Sequence, residues 1–240
     1  MGENKHPEGW PRVTSILGDY DMSWLRFFYK KHGSFDVAEA YSTQAKERGT
    51  RIHAAFEALL KGENLQIALE SVEENEKRAV VGLDGWIRGA EVMSLREEHP
   101  VESKEHKYHG HFDHELIIQN PEGWVRKLDF FNNFVPIETP LHVLSDLKTQ
   151  EGRDVKPSEI KKHAMQLSAY SQALKEETGE ELNTGLIINV DIVTGVVDAV
   201  PIHPLAAYFQ MFKLQRDLFD FIESEGKWEH LRRRKRVVSE

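Results

Sequence analysis

Asp146 and Lys148 stand two positions apart in the segment LHVLSDLKTQ, which runs from Leu141 to Gln150. Side chains at positions i and i+2 of a strand point to the same face, so a strand here would place the two groups side by side. A carboxylate can bind a cation and an ammonium can orient a water molecule, but the same two groups also form ordinary ion pairs on strands. The spacing therefore indicates a site only together with other residues.

Other polar residues accompany this pair along the chain. Asp113 ends the segment Gly110-His111-Phe112-Asp113, which we expect in a neighbouring strand. Gln166 and Tyr170 are four positions apart in a helical pattern, so they share one helix face. His53 lies in another amphipathic helical pattern. Each residue has a structural alternative: core packing for Tyr170, and a satisfied structural histidine for His53.

The residues around Asp113 also spell HxHxDH, from His109 to His114. This pattern resembles that of metallo-β-lactamase-fold hydrolases, in which clustered imidazoles and an aspartate bind paired zinc ions. That fold requires an apolar strand before the motif and a helix after it. Here Glu102 to Lys107 is highly charged and Glu115 to Ile118 continues as a strand, so the zinc hydrolase is the less favoured interpretation. Histidines further along that a zinc site might use are His142, His163 and His203.

The periodicity of apolar residues predicts a helical region followed by strands. The predicted helices of the first part are Asp21 to His32, Val37 to Leu60 and Glu73 to Arg96. The predicted strands that follow are Lys107 to Gln119, Trp124 to Phe131 and His142 to Thr149, arranged as a meander. The remaining elements are a helix from Pro157 to Glu177, strands from Gly185 to Val193 and Val196 to Pro201, and a helix from Pro204 to Ser224.

Composition narrows the possible functions. The 240 residues carry a formal charge of -9, so nucleic-acid binding would depend on local clusters of lysine and arginine. The chain has no cysteine, which excludes disulfides, thiolate zinc sites and an iron–sulfur cluster held by cysteine. It contains no GxxxxGK[ST] loop, so we expect no ATP, and no apolar run of membrane length. The N-terminus lacks a secretory or transit pattern, and we expect a cytoplasmic protein.

Four features together resemble the PD-(D/E)XK nuclease superfamily, specifically its RecB-like branch: His53, Gly110 to Asp113, Asp146-x-Lys148 and Gln166-x-x-x-Tyr170. The segment from Pro11 to Leu17 and the helix from Gly49 to His53 are similar to those of the mitochondrial genome maintenance exonuclease family and related phage exonucleases. The chain departs from them in a longer insert containing Trp124 to Pro140. The resemblance implies an α/β fold with a restriction-endonuclease-like core, a central mixed sheet flanked by helices and a helical N-terminal region.

In residue ranges, the resemblance implies one nuclease domain over 1–240, with a helical region at 1–98, a catalytic core at 99–228 and a basic tail at 229–240. It also implies that Asp113, Asp146 and the backbone carbonyl of Leu147 bind one or two Mg²⁺ or Mn²⁺ ions, with His53 as a further ligand. These oxygen ligands suit hard divalent cations, which can neutralise a phosphate and activate a bound water molecule.

By the same resemblance, Lys148 orients the attacking water and stabilises the transition state, while Gln166 and Tyr170 support the catalytic residues. The expected activity is a metal-dependent deoxyribonuclease, an exonuclease on single-stranded DNA or DNA with free ends, in recombination, repair or replication. The candidate DNA contacts are Lys30, Lys31, Arg48 and Arg51. A non-catalytic nucleic-acid-binding module is a further alternative, disfavoured because the catalytic residue types are all present.

Overall fold

The computed structural model describes residues 9–18, 35–152 and 157–224. Its elements, in chain order, are α1 (Val13–Ile16), α2 (Phe35–Leu60), α3 (Leu65–Glu70), α4 (Lys77–Ala90), β1 (Val92–Ser103), β2 (Tyr108–Ile118), β3 (Leu141–Gln150), α5 (Pro157–Thr178), β4 (Gly185–Asp191), β5 (Val197–Ile202) and α6 (Leu205–Ser224). The predicted helix from Asp21 to His32 and the predicted basic tail lie outside these ranges. Within them, no helix has the length and apolar character needed to span a bilayer.

The five strands form one mixed sheet in the order β1-β2-β3-β4-β5. Neighbouring strands are antiparallel, except that β3 and β4 are parallel. A parallel pair needs a crossover connection, and α5 is that connection because it joins the end of β3 to the start of β4. This arrangement confirms the predicted class: an α/β fold with a mixed sheet flanked by helices and a helical N-terminal region.

Both faces of the sheet are buried. Leu144 packs in a core with residues of α1, α5 and α6, whereas Val143 and Leu147 pack in a second core with residues of α2 and α4. Successive residues of a strand point to opposite faces, which explains why neighbours in β3 belong to different cores. Because both faces are covered, a polar side chain in β3, such as that of Asp146, needs partners to offset its burial.

The predicted helix from Glu73 to Arg96 was wrong at both ends. Helix α4 begins at Lys77 and ends at Ala90, and Glu91 then adopts a left-handed conformation with a φ of 52°. The following residues form β1, which pairs along the length of β2. The apolar residues of this segment also fit a helical spacing, and the long-range pairing with β2 that decides the outcome leaves no mark on local periodicity.

The segment from Trp124 to Phe131, predicted as a strand, is a loop. Val125 makes one bridge to β5, and the chain then turns around Asp129, whose carboxylate accepts hydrogen bonds from the backbone N–H groups of Phe131 and Asn133. The antiparallel meander exists, but its three strands are β1, β2 and β3. The insert therefore lies between the two strands that carry the predicted aspartates.

Candidate active site

Asp146 and Lys148 lie next to each other on β3, on the same face, as the i and i+2 spacing predicts. Lys148 Nζ donates a hydrogen bond of 2.8 Å to Asp146 Oδ1. The Asp146 side chain is only 6% exposed, whereas that of Lys148 is 33% exposed and can reach a bound molecule. Burial by itself raises the pKa of Asp146, but the charge of Lys148 and the imidazole of His163 outweigh it and hold the pKa below its usual range.

Asp113 lies on β2 at the point where β2 leaves β3. The paired register of these strands runs from Ile118↔Leu141 to His114↔Ser145 and stops one residue short of Asp113. Asp113 Oδ2 instead accepts a hydrogen bond of 3.3 Å from the backbone N–H of Leu147. Burial and the nearby charge of Asp146 raise the pKa of Asp113 to about 8. Two carboxylates thus share a small volume, which favours a bound cation or a proton between them.

His53 reaches the same group from α2. Its Nε2 lies 3.0 Å from the carbonyl oxygen of Leu147, and its Nδ1 lies 3.8 Å from Asp113 Oδ2. Burial lowers the pKa of His53, and the positive charge of Lys148 lowers it further. The neutral imidazole favoured in this way is the form that binds metals.

Gln166 and Tyr170 lie on α5, one helical turn apart. The Gln166 side-chain amide donates a hydrogen bond of 3.2 Å to the Tyr170 hydroxyl. Tyr170 is also part of the core between α5 and the sheet, so the packing role considered for it from the sequence is present too. Burial raises the pKa of Tyr170. The charges of Asp146 and Asp113 raise it further, because the phenol lies within electrostatic range of both carboxylates.

Two residues near the site were missed by the nuclease interpretation of the sequence. His163 Nδ1 lies 3.2 Å from Asp146 Oδ2, but the two atoms are not aligned as a hydrogen bond. Because His163 precedes Gln166 by three residues, the shared helix face was an available signal. Glu98 adopts a φ of 44° on β1, and its charge contributes to the raised pKa of Asp113. No local pattern marked Glu98, since its segment was predicted as helix and loop.

Two of the four predicted DNA contacts, Arg48 and Arg51, lie within the described residues, and both form ion pairs with carboxylates. Arg51 forms ion pairs with Glu76 at 2.5 Å and Glu73 at 3.0 Å, so its guanidinium is held by carboxylates of the α3–α4 region. Arg48 lies 3.7 Å from Glu151, at the end of β3, with 18% of its side chain exposed. Lys30 and Lys31 lie outside the described residues. Arg48 thus lies near the end of the strand that carries Asp146.

The HxHxDH residues lie along one extended strand, β2. His114 points away from the carboxylate group: it is fully buried and packs edge-on against Phe56 at 5.0 Å between ring centroids. Within the described ranges, the side-chain clusters with metal-binding spacing are Glu105, His106 and Glu176, and Glu115, His142 and Glu180. Neither contains a residue of the HxHxDH motif. Neither contains Asp113 or Asp146.

The residues around Asp146 fit a divalent cation. Asp146 Oδ2 is buried, and His163 Nδ1 lies 3.2 Å from it without the alignment of a hydrogen bond. A bound cation would compensate the burial of this oxygen further. His53 Nε2 and the Leu147 oxygen are 3.0 Å apart, and adjacent ligands of an octahedral ion with bonds of about 2.1 Å are also about 3 Å apart. The carboxylate and carbonyl oxygens of this group suit Mg²⁺ or Mn²⁺.

Comparison with known proteins adds no assignment to this geometry. No protein-family model matches the chain, and no curated protein matches it significantly.

Proposed function

We propose that the chain is a metal-dependent deoxyribonuclease that hydrolyses phosphodiester bonds at the group formed by Asp113, Asp146 and Lys148. One observation carries the proposal. One buried carboxylate, that of Asp146, and one half-buried carboxylate, that of Asp113, meet the partly exposed ammonium of Lys148 where β2 separates from β3. Asp146 Oδ2 lies 3.2 Å from His163 Nδ1 but is not aligned with it for a hydrogen bond. This combination can hold a cation and leave a positive charge facing a bound phosphate.

The residues that would hold Mg²⁺ or Mn²⁺ are Asp113, Asp146, the Leu147 carbonyl and His53. When bound, such an ion neutralises the scissile phosphate and lowers the pKa of a coordinated water molecule. The protein prepares this position in advance: the Leu147 N–H holds Asp113 Oδ2, and Lys148 holds Asp146 Oδ1, so both carboxylates have one oxygen fixed. Fixed ligands reduce the reorganisation needed on binding.

Lys148 acts on the substrate side. Its ammonium stays charged, because the attraction of Asp146 and Asp113 outweighs burial and keeps the pKa of Lys148 above its usual value. A charged Nζ beside the phosphate stabilises the negative charge that develops on the phosphate oxygens and donates a hydrogen bond that orients the attacking water. Gln166 and Tyr170 are hydrogen-bonded to each other on α5, and the Tyr170 phenol lies within electrostatic range of Asp146 and Asp113.

The substrate class rests on the resemblance to the RecB-like nucleases. We propose DNA that is single-stranded or has free ends, processed during recombination, repair or replication in the cytoplasm of a bacterial or phage-infected cell. By the same resemblance, the proposal identifies the mixed sheet as a restriction-endonuclease-like core.

Conservative substitutions test the proposal. Asp146→Asn and Lys148→Met should each slow cleavage of end-labelled single-stranded DNA in Mg²⁺ or Mn²⁺ by about 100-fold or more, the scale seen when one transition-state contact is removed. Asp84→Asn is a matched control, because it changes a carboxylate of α4 that pairs with Arg88. Thermal unfolding of each variant establishes that the fold is retained. Full activity of either site variant would overturn the proposal.

The same samples separate the alternatives. Zinc that copurifies with the protein, with His109→Ala as damaging as Asp146→Asn, would support a zinc hydrolase. DNA binding by the wild type without cleavage in either metal would support a non-catalytic module.

A further inference from the structure

Asn189 is a buried residue whose side-chain amide is not hydrogen-bonded. It lies on β4 and is 1% exposed. Neither its Oδ1 nor its Nδ2 forms a hydrogen bond with any residue that the structure describes. An amide can accept two hydrogen bonds and donate two, so burying it without partners costs free energy. A buried polar group in this state requires an explanation.

The stability of the strand does not supply that explanation. Strand β4 is apolar from Leu186 to Ile188, and it lies between β3 and β5 in the sheet. Asparagine is disfavoured in strands, and an apolar side chain suits a buried central position better. A local choice that costs stability is typical of a functional site.

The register of the sheet places Asn189 beside Lys148. The parallel pairing of β3 and β4 aligns Lys148 with Asn189 and Asp146 with Ile187. Ile187 and Leu144 belong to the core that also contains residues of α5, and alternate residues of a strand share a face. Asn189 therefore lies on the α5 face of the sheet, as Asp146 and Lys148 do. Neighbouring strands are about 4.8 Å apart, so the amide lies next to the lysine side chain.

A second amide oxygen without a donor lies on the same face. Gln150 follows Lys148 by two residues on β3, so the two side chains point to the same side. Gln150 Oε1 is buried and forms no hydrogen bond within the described part of the chain. Amides elsewhere are bonded: Asn64 accepts from the backbone of Gln66, and Asn120 donates to the backbone of Gly89. The amides beside Lys148 thus differ from these.

The ammonium of Lys148 has more donors than its described contact uses. It carries three N–H donors on a flexible stem. The bond to Asp146 Oδ1 at 2.8 Å uses one of them. A group that must face a phosphate in one orientation needs more than one fixed contact. In the proposed reaction Asp146 is also a ligand of the cation, so the carboxylate that holds Lys148 is shared.

We propose that Asn189 is a positioning residue for Lys148: during the reaction, Asn189 Oδ1 accepts a hydrogen bond from the Lys148 ammonium. The ammonium is then held by Asp146 on its own strand and by Asn189 on β4. This inference rests on the proposed nuclease function. An amide suits the role better than another carboxylate, because it accepts the hydrogen bond without cancelling the positive charge that faces the phosphate.

Steady-state kinetics of Asn189→Leu on end-labelled single-stranded DNA in Mg²⁺ tests this role. We expect kcat to fall by about 10- to 100-fold, the range typical of lost supporting contacts, with KM changed by less than about 2-fold. The loss falls on kcat because the ammonium acts on charge that develops in the transition state. Asn189→Ala adds no volume to the core and should show the same loss, which covers the case in which leucine does not fit.

Unfolding in urea without metal separates this role from a structural one. Because the amide has no partner among the described residues, Asn189→Leu should unfold at the same urea concentration as the wild type or at a higher one. A residue that supported the fold would give the opposite result. Ser145→Ala is the matched control: it removes another buried polar group without a described partner, on the opposite face of β3, and should leave cleavage unchanged.

A double-mutant cycle tests whether Asn189 acts through Lys148. Lys148→Met removes the ammonium that Asn189 is proposed to hold. In that background, Asn189→Leu should lower kcat by less than about 2-fold, because no ammonium remains to be positioned. The effects of the two substitutions should therefore not add.

Three results would overturn this inference alone. Asn189→Leu could cleave as fast as the wild type. Asn189→Leu and Asn189→Ala could both unfold at clearly lower urea concentrations than the wild type, which would make the role structural. Asn189→Leu could lose as much activity in the Lys148→Met background as in the wild type, which would mean that Asn189 does not act through Lys148. A wild type that cleaves no DNA would instead overturn the proposed function, and this inference with it.

Discussion

Replacing Gly110 by alanine places a methyl group against the ring of Tyr170. Built on the backbone of β2, that carbon lies 2.4 Å from Tyr170 Cε1 and 3.2 Å from the Tyr170 hydroxyl oxygen. Two non-bonded carbon atoms prefer about 3.5–4.0 Å, so the ring or the strand must move by roughly 1 Å. The ring has little room for this movement, because it is buried and its hydroxyl is bound to Gln166.

Overpacking of a well-filled core costs about 1–3 kcal/mol, and we expect Gly110→Ala to lower the free energy of unfolding by about 2 kcal/mol. Gly85 provides the opposite case. It lies in α4 with no atom within 4 Å of the added carbon, and alanine in a helix interior is favoured over glycine by about 0.5–1 kcal/mol. Replacing glycine by alanine should therefore destabilise the protein at position 110 and stabilise it at position 85.

Urea unfolding followed by circular dichroism measures both effects. A second pair of variants, Tyr170→Ala with and without Gly110→Ala, completes a double-mutant cycle. Once the ring is gone, the added methyl group should cost much less, and the two substitutions should be less harmful together than the sum of their separate effects. A Gly110→Ala variant as stable as the wild type, or an equal loss of stability in the Tyr170→Ala background, would contradict the predicted clash.

Two buried ionisable side chains, those of Glu76 and His114, give further predictions. Arg51 donates to both oxygens of Glu76, so Glu76→Gln should lower the free energy of unfolding by about 2–3 kcal/mol at pH 7. Burial raises the pKa of Glu76, but hydrogen bonds from Arg51 and the Glu73 N–H outweigh it and hold the pKa below its usual value. The stabilisation is therefore lost in acid. In urea titrations near pH 3, the wild type and Glu76→Gln should differ less in their free energy of unfolding than they do at pH 7. An unchanged difference would contradict this prediction. Burial, followed by the charge of His53, lowers the pKa of His114 to about 4. Because unfolded histidine binds its proton near pH 6.5, stability should fall by up to roughly 3 kcal/mol between about pH 6.5 and pH 4. His114→Leu should flatten that decline in the urea midpoint, and an equally steep decline would argue against a buried neutral imidazole.

The features predicted well from the sequence are those that depend on local geometry. The side-by-side placement of Asp146 and Lys148 follows from strand alternation, and the hydrogen bond from Gln166 to Tyr170 follows from helical spacing. The mixed α/β class was accessible because strands and helices alternate in the second half of the chain.

The features that sequence reasoning missed depend on contacts between distant segments. Strand β1 forms because it pairs with β2, and that pairing overrides a segment whose apolar residues also fit a helix. His163 approaches Asp146 only because α5 crosses back over β3. Glu98 approaches Asp113 because the β1–β2 register, which runs through Glu97↔His114 and His99↔Phe112, places it opposite Asp113. Periodicity contains no information about which residues of two strands lie opposite each other.

The most direct test of the central claim is the Mg²⁺-dependent degradation of linear and circular single-stranded DNA by the purified chain. We predict that the wild type degrades the linear DNA, leaves the circle intact and is inactive after Mg²⁺ is chelated, and that Asp146→Asn is inactive on both. Cleavage of the circular DNA would be compatible with the proposed catalytic site, but it would show that the enzyme is not an exonuclease. No cleavage of any DNA by the folded wild type in Mg²⁺ or Mn²⁺, or equal cleavage by Asp146→Asn, would contradict the claim.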